Sequence, residues 1–136
     1  MEDSSFLNPV PRSFPGMRWV RISLRTLHLI CMGLWVGGIA AGQIPESLSF
    51  ALWGTVISGL LFVVLELFHS PVILVQVKGL AVFVKMMLLL AAVEIPEHAL
   101  AVSIVAIVIG GISSHMPGRY RYYSIFHGKV VDGGSG

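Results

Sequence analysis

His28, Cys31, Met32 and Trp35 lie in an apolar stretch from His28 to Gly38 that is thinned by Gly33, Gly37 and Gly38. Lipid has no water to solvate an imidazole, so His28 requires a partner inside the protein. At 3.6 residues per turn, His28, Met32 and Trp35 share one helical face, and the glycines let a neighbouring helix or a flat ligand approach. Three chemistries are open to such a histidine. It can hydrogen-bond between helices, ligate a haem iron, or ligate another metal. Cys31, Met32, Met86 and Met87 are soft sulfur groups that suit Cu(I), or they are plain apolar filler.

A haem b needs one or two axial nitrogens, an apolar slot and small residues where the ring lies flat. The sequence offers His28 with His115, or less readily His69, as a pair across two helices. Trp35, Gly37 and Gly38 would line the slot, and Arg21, Arg25 or Arg119 would meet the propionates. Each residue also has a plainer role. His115 can pair with free carbonyls at a helix end, His69 beside Ser70-Pro71 can sit in an interfacial loop, and His98 and His127 can be solvated. Lys78 can snorkel to the interface. Lys85, seven residues on and roughly 10 Å deeper, cannot do so easily, which favours a functional or ion-paired role.

The elements that must position these residues are membrane helices. Of 136 residues, 55% are hydrophobic and 12% charged, and the mean hydropathy is +0.84; a soluble domain needs far more charge to cover its surface. Four spans are expected, over about 24–41, 48–67, 75–93 and 99–114, with breaks at Pro45, His69-Ser70-Pro71, Pro96 and Pro117. Residues 1–23 read as an interfacial segment anchored by Trp19, residues 24–115 as the transmembrane domain, and residues 116–136 as a basic, aromatic tail that frays from Asp132. The fold class is therefore an all-α integral membrane protein, a four-helix bundle. Pro9, Pro11 and Pro15 argue against a cleaved signal in the first segment.

The positive charge reads as topology, not as nucleic-acid binding. Seven of the nine Lys and Arg lie in or beside the terminal segments, whereas 43–47 and 94–98 contain none. The positive-inside rule then places both termini in the cytoplasm. Arg119-Tyr120-Arg121-Tyr122-Tyr123 suits headgroup anchoring or anionic lipid. Cys31 is the only cysteine, so no internal disulfide exists.

His28 with Trp35-Val36-Gly37-Gly38 resembles the first-helix pattern of the four-helix, haem-binding protoporphyrinogen IX oxidases of bacterial membranes. It is also similar to the related copper-resistance D-type membrane proteins. The resemblance implies that His28 ligates haem. It implies that Lys85, in Phe83-Val84-Lys85-Met86, is the functional lysine of the third helix, and that Glu94-Ile95-Pro96 is the Glu-x-Pro element before the last helix. The family's Arg and Asn ahead of that element are replaced here among Ala91, Ala92 and Val93.

These readings lead to the expectation of a haem b redox protein in the bacterial inner membrane that passes electrons to a quinone or a protein partner. As an oxidase, it would use Lys85 to orient or deprotonate a tetrapyrrole. A copper-handling protein built on His28, Cys31 and Met32 is one alternative. The other is a cofactor-free accessory subunit of a larger complex, docking through Gly33/Gly37 and Gly38/Gly42, with homo- or hetero-oligomers both open.

Overall fold

A computed structural model describes residues 12–130. Among the described residues the chain is all-helical, without strands. Four long helices follow in order: α1 (Met17–Ala40), α2 (Ser49–His69), α3 (Val77–Glu94) and α4 (Ala99–His115). A last short turn of helix, α5, covers Gly118–Arg121. Three segments, Met17–Ala40, Pro45–His69 and Pro96–His115, are long and apolar enough to cross a membrane. The expected third span forms as α3, but Lys78, Lys85 and Glu94 fall within its 18 residues. That length equals the minimum for a span and leaves no uncharged stretch to choose within it.

α1 begins seven residues before the expected span, so Arg18, Trp19, Arg21 and Arg25 are helical. Residues 1–11 of the expected interfacial segment lie outside the described residues, as does the expected fraying from Asp132. At its other end α1 is stopped by Gly42, not by Pro45. Gly42 takes φ 86°, its N–H reaches the Ile39 carbonyl at 2.9 Å, and the Gln43 N–H reaches the Gly38 carbonyl at 3.0 Å. This left-handed closure satisfies the last carbonyls of the helix. Pro45 then starts the 3-10 turn Pro45–Leu48, where its missing N–H costs nothing.

The bundle is two hairpins. α1 packs mainly on α2 and α3 mainly on α4, with fewer contacts between the hairpins. The core holds Met32 and Trp35 of α1, Ala51, Leu52 and Val56 of α2, Leu89 and Ala92 of α3, and Ala99 and Ala106 of α4, with Leu48 closing one end. Alanines where helices cross let the backbones approach, while a ring of exposed Leu, Ile, Val and Phe remains outside, as lipid-facing helices require.

A polar bond joins α1 of one hairpin to α4 of the other. The buried Trp35 Nε1–H donates to Ser103 Oγ of α4 at 2.8 Å. Ser103→Ala leaves that N–H without an acceptor and is expected to cost about 1–3 kcal/mol in detergent unfolding. Ser103→Thr, which keeps the oxygen, should cost less.

At the end of the bundle that holds residues 69–78, the tail folds back. Ser124 bridges to Gln76, and Val77 N–H reaches the Tyr123 carbonyl at 3.2 Å. Arg121 Nη1 donates to the Ser114 carbonyl at 3.1 Å and so caps the end of α4. The Arg-Tyr tail is thus partly a structural clasp.

Candidate functional site

α2 presents a small and polar stripe to α1: Gly54, Thr55, Ser58 and Gly59, at helical spacing. The two glycines are recesses filled from α1. Cys31 Sγ would lie 2.6 Å from a Cβ at Gly54, and His28 Cε1 would lie 3.2 Å from one at Gly59. Thr55 and Ser58 are fully buried between them. Their hydroxyls bond back along α2, Thr55 Oγ1 to the Ala51 carbonyl at 2.8 Å and Ser58 Oγ to the Gly54 carbonyl at 2.6 Å.

The partner demanded by His28 is therefore on α2. Its Nδ1 lies 2.9 Å from the Thr55 carbonyl oxygen and 3.2 Å from Ser58 Oγ. A carbonyl only accepts, and the Ser58 proton has the closer Gly54 carbonyl, so Nδ1 carries the proton and donates to Thr55. Nε2 then holds the lone pair. This is the arrangement by which a carbonyl fixes the tautomer of a ligating or proton-accepting histidine.

α3 adds two groups at the same level. Met86 Sδ would lie 3.7 Å from a Cβ at Gly59, the recess that His28 also fills. Lys85 is half-buried and lies along Gly110 of α4 with its Nζ 3.5 Å from a Cβ placed there. His28 and Met86 thus meet inside the bundle at Gly59, while Lys85, next along α3, lies against α4. Among the described residues no three of His, Cys, Asp and Glu form a metal-holding group.

The other expected site residues lie elsewhere. His69 is ten residues along α2 from Gly59, roughly 15 Å on, and its Nδ1–H donates to the Arg12 carbonyl at 2.8 Å. His115 is exposed at the end of α4, five residues beyond Gly110. His69 is thus engaged by the Arg12 backbone at the end of α2. Trp35 is committed to Ser103, Gly38 is covered by Leu48, and Gly37 has nothing within 4 Å of a Cβ. Arg25, one turn before His28, stacks over the Phe62 ring at 5.0 Å. Arg119 is exposed and lies over Tyr120 at 4.8 Å. His98 and His127 are exposed, the latter hydrogen-bonded to Ser124.

Thr55, Ser58 and Gly59 were not singled out as partners of His28 from the sequence, nor Ser103 as the partner of Trp35. A signal for the first group existed: small and polar residues at i, i+1, i+4 and i+5 in an otherwise apolar helix mark an interhelical face. Comparison with known protein families, characterised proteins and solved structures finds no match.

Proposed function

We propose that this chain is a multi-pass redox protein of the bacterial inner membrane, with four spans, both termini in the cytoplasm, and a haem b ligated by His28. Support for the topology comes from the segments 43–47 and 94–98, which lack Lys and Arg, against Arg12, Arg18, Arg21, Arg25, Lys78, Arg119, Arg121 and Lys129 at the other end. In this orientation α3 crosses as well, with Lys85 sheltered by Gly110.

The observation that carries the haem reading is the Nδ1–H bond of His28 to the Thr55 carbonyl, which leaves Nε2 free to bind iron. Haem supplies one-electron chemistry when bound. The protein's own part is to hold the imidazole in one tautomer, exclude water with the Trp35–Leu52–Val56 core, and place Met86 beside it, with Lys85 next along α3. His115, less readily His69, would be the second ligand that the sequence offers, and Met86, which fills the same recess as His28, would be a further soft donor. Lys85 is the residue that would bind the carboxylates of a tetrapyrrole substrate or take its proton in an oxidase of the kind the sequence resembles. The electron acceptor in this reading is a quinone or a partner subunit.

Copper is the second reading, favoured by one specific feature: Met86 Sδ and His28 fill the same recess, with Cys31 one turn away. One experiment separates the two. Protein purified in detergent from cells supplied with both metals is examined by oxidised and dithionite-reduced spectra and by metal analysis. A Soret band that sharpens into α and β bands on reduction is expected. Copper at one per chain without a Soret band would replace haem with Cu(I), and neither would leave a cofactor-free subunit.

A further inference from the structure

The tail that clasps the start of α3 carries an apolar tip that the bundle leaves uncovered. Ile125 and Phe126 stand in a small loop, and Phe126 is 77% exposed, more than any other large hydrophobic among the described residues. The loop is built, not slack. Tyr123 bridges to Val130 and Ser124 to Gln76, the buried Ser124 Oγ lies 2.9 Å from His127 Nδ1, and Gly128 closes the turn at φ 61°. Its backbone donors are also engaged. The Ser124 N–H reaches the Lys129 carbonyl at 2.8 Å, that of Ile125 the Val75 carbonyl at 3.0 Å, and that of Gly128 the Ser124 carbonyl at 3.1 Å. The His127 N–H reaches Ser124 Oγ at 3.3 Å. A loop with these four N–H groups bonded within the chain gives up little on leaving water.

We infer that this loop enters the membrane interface, with Ile125 and Phe126 inserted among anionic lipids. The Ile125–Val75 bond ties the tip to the start of α3, next to Leu74, which is itself exposed. That is the end of the bundle where α1 begins with exposed Arg18 and Trp19, the level of lipid headgroups. The inference rests on the proposed crossing of the membrane and is independent of the haem. Charge selects the lipid. Lys129, three residues beyond Phe126, and Arg119 of α5 are exposed, and no Asp or Glu falls between Glu97 and Asp132. Among the described residues Glu66 is the one carboxylate at this end, and it is taken by Arg21. Apolar side chains set among cations bury themselves at the boundary of headgroups and acyl chains, drawn there by anionic lipid.

The test is the depth of a nitroxide label at Phe126→Cys, in full-length chains carrying Cys31→Ser, reconstituted in phosphatidylglycerol or phosphatidylcholine vesicles. Oxygen and a water-soluble nickel chelate are the probes. A label at Val108→Cys, an exposed position midway along α4, reports the span itself. In phosphatidylglycerol the label at 126 is expected to meet oxygen more than chelate, and to lie shallower in phosphatidylcholine. Arg119→Gln and Lys129→Gln should each lower the ratio of inserted to exposed loop about fivefold. A label at 126 open to the chelate while Val108 lies in lipid would overturn the insertion. Equal depth in the two lipids would overturn the preference for anionic headgroups, and a label shielded from both probes would place protein on the tip instead. A chelate-accessible Val108 would refute the crossing on which the inference rests.

Discussion

Gly79→Ala is expected to destabilise the protein by about 3 kcal/mol, the upper end of the range for overpacking. Gly79 sits in the first turn of α3, where the 3-10 turn Pro71–Val75 folds back over it. A Cβ there would run into the Ile73 carbonyl, whose carbon would be 2.9 Å away. The obstacle is backbone, so no rotamer change relieves it. Alanine is the better helix former by about 1 kcal/mol, and the clash outweighs that gain. Gly111 is the control: its Cβ would meet nothing within 4 Å, so Gly111→Ala should gain up to about 1 kcal/mol. Unfolding both variants in mixed micelles measures the difference. Equal stability of the two would mean that α3 and the preceding turn do not meet at Gly79.

Glu66→Ala is expected to cost about 2 kcal/mol by removing the carboxylate that faces the Arg21 guanidinium. Breaking a fully buried pair costs about 3–5 kcal/mol because one charge is stranded. Here the side chains of Arg21 and Glu66 keep 29% and 16% of their exposure, and water reaching the pair reduces that figure. The double variant Arg21→Met with Glu66→Leu should recover most of the loss, since it strands no charge. A double variant as unstable as Glu66→Ala alone would show that shape, not charge, decides at this site.

Much of this architecture is written in hydropathy and proline. The helix that follows each Pro turn begins within two or three residues of where the apolar run begins, because Pro71 and Pro96 can only open a helical turn. The ends of α1 were less legible. Met17 to Ser23 are amphipathic rather than apolar and still helical, since Arg21 reaches Glu66 and Arg25 reaches Phe62. Gly42 ends the helix through a left-handed closure, which hydropathy does not register.

The site was half legible. A lone imidazole in an apolar helix announces that it has a partner, and Lys85 at mid-helix announces the same. What it cannot announce is which carbonyl lies opposite. The Thr55 carbonyl is a main-chain group with no residue signature, and it depends on the register of α1 against α2, which Gly54 and Gly59 fix by accepting Cys31 and His28. The pairing of His28 with His69 that the sequence offers leaves out the ten residues of α2 between Gly59 and His69.

The measurement that tests the haem proposal most directly is the reduced spectrum of His28→Gly with and without added imidazole, beside the wild type. The expected result is a Soret band in the wild type, its loss in the variant with helicity retained, and its return when imidazole fills the space left beside Thr55. A variant that keeps the wild-type spectrum without imidazole would contradict ligation by His28.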